Sequence, residues 1–336
     1  MFNTPTPIQQ ILISMSLLNL RGKDSVAYQT LEDFQKTIFF SAFNAFQFDH
    51  VQKLVNQNYL KVNGDHLQLT SEGKKQGDAL RYHYPKARFF YDEFFLKADS
   101  SPTHQKFCEQ VYGMNLCQHG MATMNQLQIL LDSLNITQND RVLELGCGNG
   151  RITQWLQAQT GAFFTGIDLS PVGIQQAQMR MGNTNPNLNF QVENLNEFVP
   201  EVTPYQFIIA IDLFPFIQDP EALLTNLQTC LAPGGTLVIF WSAWKPDHSP
   251  ESVLSPKHNH LASILDKNNW SYQFLDFSVQ EREHWKQKHE ALFDLKNAFE
   301  QENNHFLYNY RFMETSSHQT YVNNGNLRRF LYLCTK

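Results

Sequence analysis

The chain has 336 residues, 42% hydrophobic and only 17% charged, with a formal net charge of −6 and a pI near 6.0. That leaves room for an ordinary domain core plus extra elements, and the acidic balance argues against a broad phosphate-binding surface. The five cysteines are odd in number, widely spaced and without a CxxC pair, which argues against a disulfide framework or a zinc site and points to a reducing cytoplasm.

Ile8–Leu20 is the first predicted element, a buried helix. Its apolar run is interrupted by Gln9, Gln10, Ser14, Ser16 and Asn19, and it has neither a basic start nor a small-residue cleavage site. It therefore reads neither as a signal peptide nor as a membrane span. Ser25–Phe46 repeats apolar residues at three- and four-residue spacing, and His50–Gln57 predicts a further helix. Tyr59–Val62 and His66–Thr70 predict two strands around a tight Asn63-Gly64-Asp65 turn, and Thr70-Ser71-Glu72-Gly73 opens another helix. Helix, hairpin and helix together resemble a winged-helix unit. Lys53, Lys61, Lys74, Lys75 and Arg81 are scattered through it, so no basic recognition helix emerges.

Residues 98–104 read as a linker, and 105–134 as one or two helices. From Asn139 onward, strands are predicted at Arg141–Leu145, Phe163–Ile167, Leu188–Val192, Phe207–Ile211 and Thr236–Trp241, with helical spans between them. Leu231-Ala232-Pro233-Gly234-Gly235-Thr236 is a predicted turn before the fifth of these. A polar loop, a strand at Ser271–Phe277, a long polar helix at Glu281–Asn303, the segment Phe306–Met313 and a last strand at Phe330–Cys334 complete the chain. The alternation predicts an α/β fold with a doubly wound, Rossmann-like, mostly parallel sheet of seven strands. The expected division is 1–97 (mostly helical, winged-helix-like), 98–138 (linker and lid helices) and 139–336 (core with C-terminal elements).

The chemistry is concentrated at residues 142–150, Val-Leu-Glu-Leu-Gly-Cys-Gly-Asn-Gly, where a short apolar strand runs into a glycine-rich turn and then a helix at Arg151–Gln159. The next strand ends on Asp168. A parallel βαβ unit of this length sets turn and acid side by side at the carboxyl ends of two strands, where open α/β sheets bind nucleotides. A bare glycine fingerprint usually signals NAD or FAD. Here Glu144 stands two residues before the first glycine, where a carboxylate repels a pyrophosphate but suits an ammonium. The pattern resembles the cofactor site of class I S-adenosylmethionine (SAM) dependent methyltransferases. The resemblance implies SAM as methyl donor and S-adenosylhomocysteine as product. Glu144 would hold the methionine amino group, and Gly146, Cys147, Gly148, Asn149 and Gly150 the turn around it. Asp168 would bind the ribose, Leu169 would pack on the adenine, Asn194 would accept its amino group or serve as a plain turn residue, and Leu195 would belong to the cofactor-binding set. Ile211 closes the fourth strand beside the site.

Tyr112-Gly113-Met114-Asn115-Leu116-Cys117-Gln118-His119-Gly120 resembles the Tyr-Gly…His-x-Gly segment of sterol, tocopherol, phosphoethanolamine and glycine/sarcosine type methyltransferases, where it folds over SAM. This implies that Tyr112 and Gln118 approach the cofactor. His119 is the first candidate for a proton acceptor, ahead of His248, His284 and His318, because an unperturbed imidazole titrates near neutral pH. Arg311-Phe312-Met313-Glu314 and Arg328 to Tyr332 are similar to the closing part of the same families. The fourth strand ends Asp212-Leu213-Phe214-Pro215-Phe216, without the Asn/Asp-Pro-Pro-Tyr motif with which nucleic-acid amino-methyltransferases grip a flipped base. Phe216 and Trp241 are candidates for the acceptor pocket, with a core role open for Phe216.

The reading is a cytoplasmic small-molecule methyltransferase without metal, nucleic-acid partner or membrane span, whose winged-helix-like part pairs two subunits or covers the acceptor. Protein methylation, nucleic-acid methylation and a non-catalytic SAM-binding regulator stand as alternatives.

Overall fold

The computed structural model describes residues 5–20, 24–28, 47–83, 86–182, 185–199, 204–245 and 248–336. They fall into two compact units, Met1–Glu93 and Phe94–Lys336, with the division inside the helix Lys86–Asp99.

In the first unit the helices Pro7–Leu20, Phe48–Asn56 and Ser71–His83 surround a small antiparallel sheet in the order β1-β3-β2. Its strands are β1 (Val26–Ala27), β2 (Leu60–Asn63) and β3 (His66–Leu69). The hairpin register Leu60↔Leu69 and Asn63↔His66 places the expected Asn-Gly-Asp turn between β2 and β3. Alternation along the hairpin turns Leu60 and Leu67 into a core with Ile11, Ile13, Val51 and Leu54. The helix expected over Ser25–Phe46 begins instead with β1, where Val26 pairs with Leu67; residues 29–46 of that expectation lie outside the described residues.

In the second unit the expected linker at 98–104 is mostly helical. Lys86–Asp99 runs into its first two residues, and Pro102–Tyr112 starts three residues later. Ser101 caps the second helix by accepting from the His104 N–H at 3.0 Å, with Pro102 at the first helical position. A Ser-Pro-Thr run that reads as a loop is also a helix start, because proline lacks only an N–H that this position leaves unpaired. The Glu302 carboxylate also accepts from the Ser101 and Thr103 hydroxyls and from the Thr103 N–H. The helix Met124–Ser133 then leads into the main sheet.

The main sheet has seven strands in the order β6-β5-β4-β7-β8-β10-β9. In chain order these are β4 (Arg141–Leu145), β5 (Phe163–Asp168), β6 (Leu188–Val192), β7 (Tyr205–Ile211), β8 (Leu231–Trp244), β9 (Ser271–Asp276) and β10 (Leu327–Thr335). β4 to β8 pair in parallel, while β10 is antiparallel to both β8 and β9. Leu145, Ile208, Ala210 and Ile239 feed one buried face, and Val142, Phe164, Ile209 and Phe240 the other. Burial on both faces is why the interior strands β7 and β8 read as near-continuous apolar runs, whereas β6 at the sheet edge alternates.

The turn expected at Leu231–Thr236 is an interruption within β8. Tyr205 faces Leu231 and Phe207 faces Thr236, so the extra residues loop out around Gly234 before pairing resumes. The helix His260–Lys267, capped by Asn259, fills part of the expected polar loop. Ser278–Gln301 and His305–Asn323 are two long helices joined at Glu302–Asn304. Among the described residues no helix is long and apolar enough to cross a membrane. Strand order reverses at β4, with β5 on one side and β7 on the other, which opens the crevice at the carboxyl ends of those strands.

Candidate functional site

β4 ends in a turn sewn to its neighbour: the N–H groups of Gly146 and Cys147 both donate to the Ile167 carbonyl, at 2.8 and 3.1 Å. Gly148 and Gly150 sit at φ +58° and +74°, backbone that glycine enters without steric cost. A Cβ on Gly150 would stand 2.6 Å from Phe190 and 2.7 Å from Ala177; one on Gly148 would stand 2.6 Å from the Phe95 ring. The turn is therefore pressed between the β5–β6 side of the sheet and the helix carrying Phe95. Cys147 and Asn149 are both buried. The Asn149 amide points to Asp99 (3.4 Å), whose carboxylate also binds Arg151 at 2.8 Å, and the Asn149 carbonyl accepts from Arg180.

Asp168, at the end of β5, accepts from the Gly148 N–H at 2.8 Å and from the Ser170 N–H at 2.7 Å. The acid and the glycine turn thus touch, as the βαβ spacing predicts. Glu144 is 2% exposed and accepts from the Thr153 hydroxyl at 2.6 Å. Burial pushes its carboxyl up to about 7; the Thr153 bond opposes the shift and the Asp168 charge adds to it. Beyond β6, the Asn194 side-chain oxygen accepts from the Asn196 N–H at 3.2 Å and caps a short turn at Leu195–Glu197. Leu195 packs in the core beside Leu145 and Ile167, and Leu169 is half-buried.

At the end of β7 the structure builds a feature with no local signal in the sequence. Asp212 takes a left-handed backbone at φ +54°. Its carboxylate grips Arg329 of β10 through both oxygens, at 2.6 and 3.1 Å, and accepts the Met121 N–H at 2.7 Å. Arg329 is fully buried and also donates to Ser242 (3.1 Å) and Gln126 (3.1 Å). Gln126 continues to Glu281 at 3.2 Å, and Glu281 accepts from the Trp285 indole at 3.0 Å.

This network fixes the segment that follows Tyr112. Leu116 and Ala122 pack with Leu127, near Ile211, while the Gln118 side chain braces its own loop through Leu116 N–H and the Met114 carbonyl. Arg311 of the helix His305–Asn323 clamps the segment by donating to the carbonyls of Gln118 and His119. His119 shares a 2.6 Å hydrogen bond with the Tyr310 hydroxyl and meets the Phe94 ring edge-on. Burial, with the Arg311 charge behind it, lowers its pKa to about 3, so the imidazole is neutral and weakly basic near neutral pH. Deeper in, Lys288 forms a 3.0 Å ion pair with Glu314, which also binds Arg311 at 3.0 Å. Tyr112 and His284 pack beside Lys288.

A protein-family model described as a methyltransferase domain matches residues 119–301, more than half of the chain. The chain belongs to this methyltransferase-domain family. A curated relative, the ubiquinone biosynthesis O-methyltransferase of Coxiella burnetii, is 29% identical over 96 residues. That match covers 29% of this chain and 41% of the relative, so the chain spans less than half of that relative's length. Among solved structures, the phosphoethanolamine N-methyltransferase 2 of Haemonchus contortus, in complex with phosphomonomethylethanolamine and S-adenosylhomocysteine, aligns with a TM-score of 0.53 at 15% identity. It covers 87% of this chain and 74% of its own. A cyclopropane synthase from Mycobacterium tuberculosis aligns with a TM-score of 0.57 at 14% identity, over 73% of this chain and 98% of its own. At these identities the two structures establish a shared fold.

Within this methyltransferase domain, the residues singled out from sequence separate into groups. Glu144, the glycine turn and Asp168 come together at the carboxyl ends of β4 and β5, and Ile211 lies beside the 116–122 segment. Tyr112 and His119 belong to the buried polar cluster. Phe216 is 49% exposed at the end of a short turn. Trp241 lies on the sheet face of Phe214 and Phe330, opposite the face on which Ser242 meets Arg329. His248 is exposed past β8, and His318 donates to the Glu314 carbonyl at 2.7 Å while stacking on Trp285. Sequence reasoning missed Asp212 and Arg329 as partners, and Lys288 altogether.

Proposed function

We propose that the chain transfers a methyl group from SAM to a small-molecule acceptor. The observation that carries this reading is the contact of the Asp168 carboxylate with the Gly148 N–H at the crevice where the strand order reverses. The residues present fit the cofactor. Asp168 supplies a carboxylate for a ribose diol, the glycine turn brings backbone close without a Cβ, and the buried Glu144 carboxyl awaits a positive charge. SAM supplies an activated methyl on a sulfonium. The chain's own part is to hold donor and acceptor in line and exclude water. His119, neutral and bound to Tyr310, serves as a positioning wall for the acceptor side rather than as a strong base.

Calorimetry checks the cofactor. SAM and S-adenosylhomocysteine are expected to bind in the micromolar range and NAD not at all; binding of NAD without SAM would end the reading.

Glu144 adds a pH dependence. Its carboxyl, raised to about 7, holds a proton more tightly folded than unfolded. The resulting stability is complete below the ordinary carboxyl range and is lost as pH rises through about 7. A bound ammonium needs the carboxylate, so S-adenosylhomocysteine affinity is expected to rise several-fold between about pH 5.5 and 7. Glu144→Gln is expected to flatten that rise. A flat profile in the native chain would remove Glu144 from the cofactor site.

We further propose that residues 1–97 serve dimerisation or acceptor-side duty rather than DNA binding, supported by the net charge of −6. A cytoplasmic setting is supported by five buried cysteines, all as free thiols.

A further inference from the structure

We propose that Tyr112, His284 and Lys288 form a buried subsite for an oxyanion, the carboxylate or phosphate group of the methyl acceptor. This rests on the reading of the chain as a small-molecule methyltransferase and names the acceptor's chemical class.

Three observations converge. The Tyr112 hydroxyl and both ring nitrogens of His284 have no hydrogen-bond partner among the described residues, although the residues are only 2% and 5% exposed. Buried polar atoms are rarely left so, because desolvation without a partner is costly. The two rings lie 5.5 Å apart, and the Lys288 ammonium stands 5.7 Å from the Tyr112 ring and 4.3 Å from the Trp285 ring. The side chains that carry the unpartnered atoms are thus neighbours around the Lys288 ammonium.

Charge supplies the second argument. Lys288 and Arg311, both fully buried, share the single carboxylate of Glu314. Arg311 spends other donors on the Gln118 and His119 carbonyls, whereas Lys288 has ammonium protons beyond its one ion pair. The adjoining group sets Arg329 against Asp212 and Glu281, and burial pushes the Glu281 carboxyl up toward its neutral form. His284 is kept neutral by burial and by the Lys288 charge. Within the group of Lys288, Arg311 and Glu314, two cations thus share one carboxylate beside a phenol and an imidazole that can each donate. An anionic oxygen group accepts from all three; a cationic group would meet Lys288 at close range.

Position supplies the third. Tyr112 leads into the segment whose Met121 N–H is bound by Asp212, and the next residue, Leu213, lies 2.9 Å from where a Cβ on Gly146 would stand. The segment that Tyr112 leads into is thereby linked to the cofactor turn across the carboxyl ends of β7 and β4.

The 336-residue chain, saturated with S-adenosylhomocysteine, is titrated with sodium acetate and separately with inorganic phosphate at constant ionic strength set by chloride. Binding is followed by calorimetry and melting temperature. We expect a saturable response to at least one anion, weakened roughly tenfold in Tyr112→Phe, which removes a single hydrogen-bonding group, and abolished in Lys288→Met. Preference for acetate identifies a carboxylate acceptor, and preference for phosphate a phosphorylated one. No response beyond chloride, or a response unchanged in Tyr112→Phe and in His284→Gln, overturns the subsite; these two variants decide the matter if Lys288→Met does not fold. Failure of S-adenosylhomocysteine itself to bind would count against the cofactor reading instead, and the anion titration of the unliganded chain then still decides the subsite.

Discussion

Arg329→Met is expected to lower the unfolding free energy by about 3–5 kcal/mol, the cost of breaking a buried ion pair from one side. The guanidinium is fully buried and bonds Asp212, Ser242 and Gln126 while lying 5.2 Å from the Phe240 ring centroid. Methionine fills much of the space but leaves Asp212 with only the Met121 N–H among its described partners, and it strips Glu281 of its nearest cation. For a domain of this size about 2–4 °C is lost per kcal/mol, so the melting temperature should fall by roughly 6–20 °C. Asp212→Ala, which strands the buried cation instead, is expected to cost a similar amount. The double variant should cost well under the sum, because each single change removes the same pair. Thermal and urea melting of the four chains measures this. A loss below about 1 kcal/mol in Arg329→Met would mean that the pair behaves as a solvated surface contact.

Much of the fold was legible because its signals are local. Arg141–Leu145 is a largely apolar stretch that ends in a glycine-rich turn, Leu188–Val192 alternates apolar and polar residues after an Asn-Pro-Asn turn, and both form strands with the expected ends. The contact of Asp168 with the glycine turn follows from the length of one βαβ unit. Errors fell where one signal has two meanings. Ser101-Pro102 reads as a loop, yet serine and proline also open helices. Leu261, Ile264 and Leu265 after Asn259 carried a helix signal, with a cap and a three-to-four-residue repeat, which the surrounding polar residues concealed. Asp212 and Arg329 could not be paired from sequence: 117 residues separate them, and only the antiparallel insertion of β10 beside β8 brings them together. Lys288 and His284 share a helix face at four-residue spacing, but nothing local says that this face is buried.

The second large effect concerns Asp168 and the cofactor. Its carboxylate holds the N–H groups of Gly148 and Ser170, and a carboxylate has about four acceptor positions, so these loop bonds are compatible with a ribose diol. Two charge-assisted bonds to a diol contribute on the order of 2–3 kcal/mol. Asp168→Ala is therefore expected to weaken SAM binding roughly 30- to 150-fold. Alanine also releases the two loop N–H groups, which loosens the turn itself. Asp168→Asn is the intermediate case: Gly148 and Ser170 donate to different carboxylate oxygens, so the single amide oxygen keeps one of the two loop bonds, the amide NH2 faces the other N–H, and the negative charge is gone. Both its affinity and its melting temperature should fall between those of the native chain and Asp168→Ala. Calorimetry of both variants beside their melting curves decides between site and scaffold. If SAM affinity stays native in Asp168→Ala, the diol is bound elsewhere and the carboxylate serves only to fasten the glycine turn to β5.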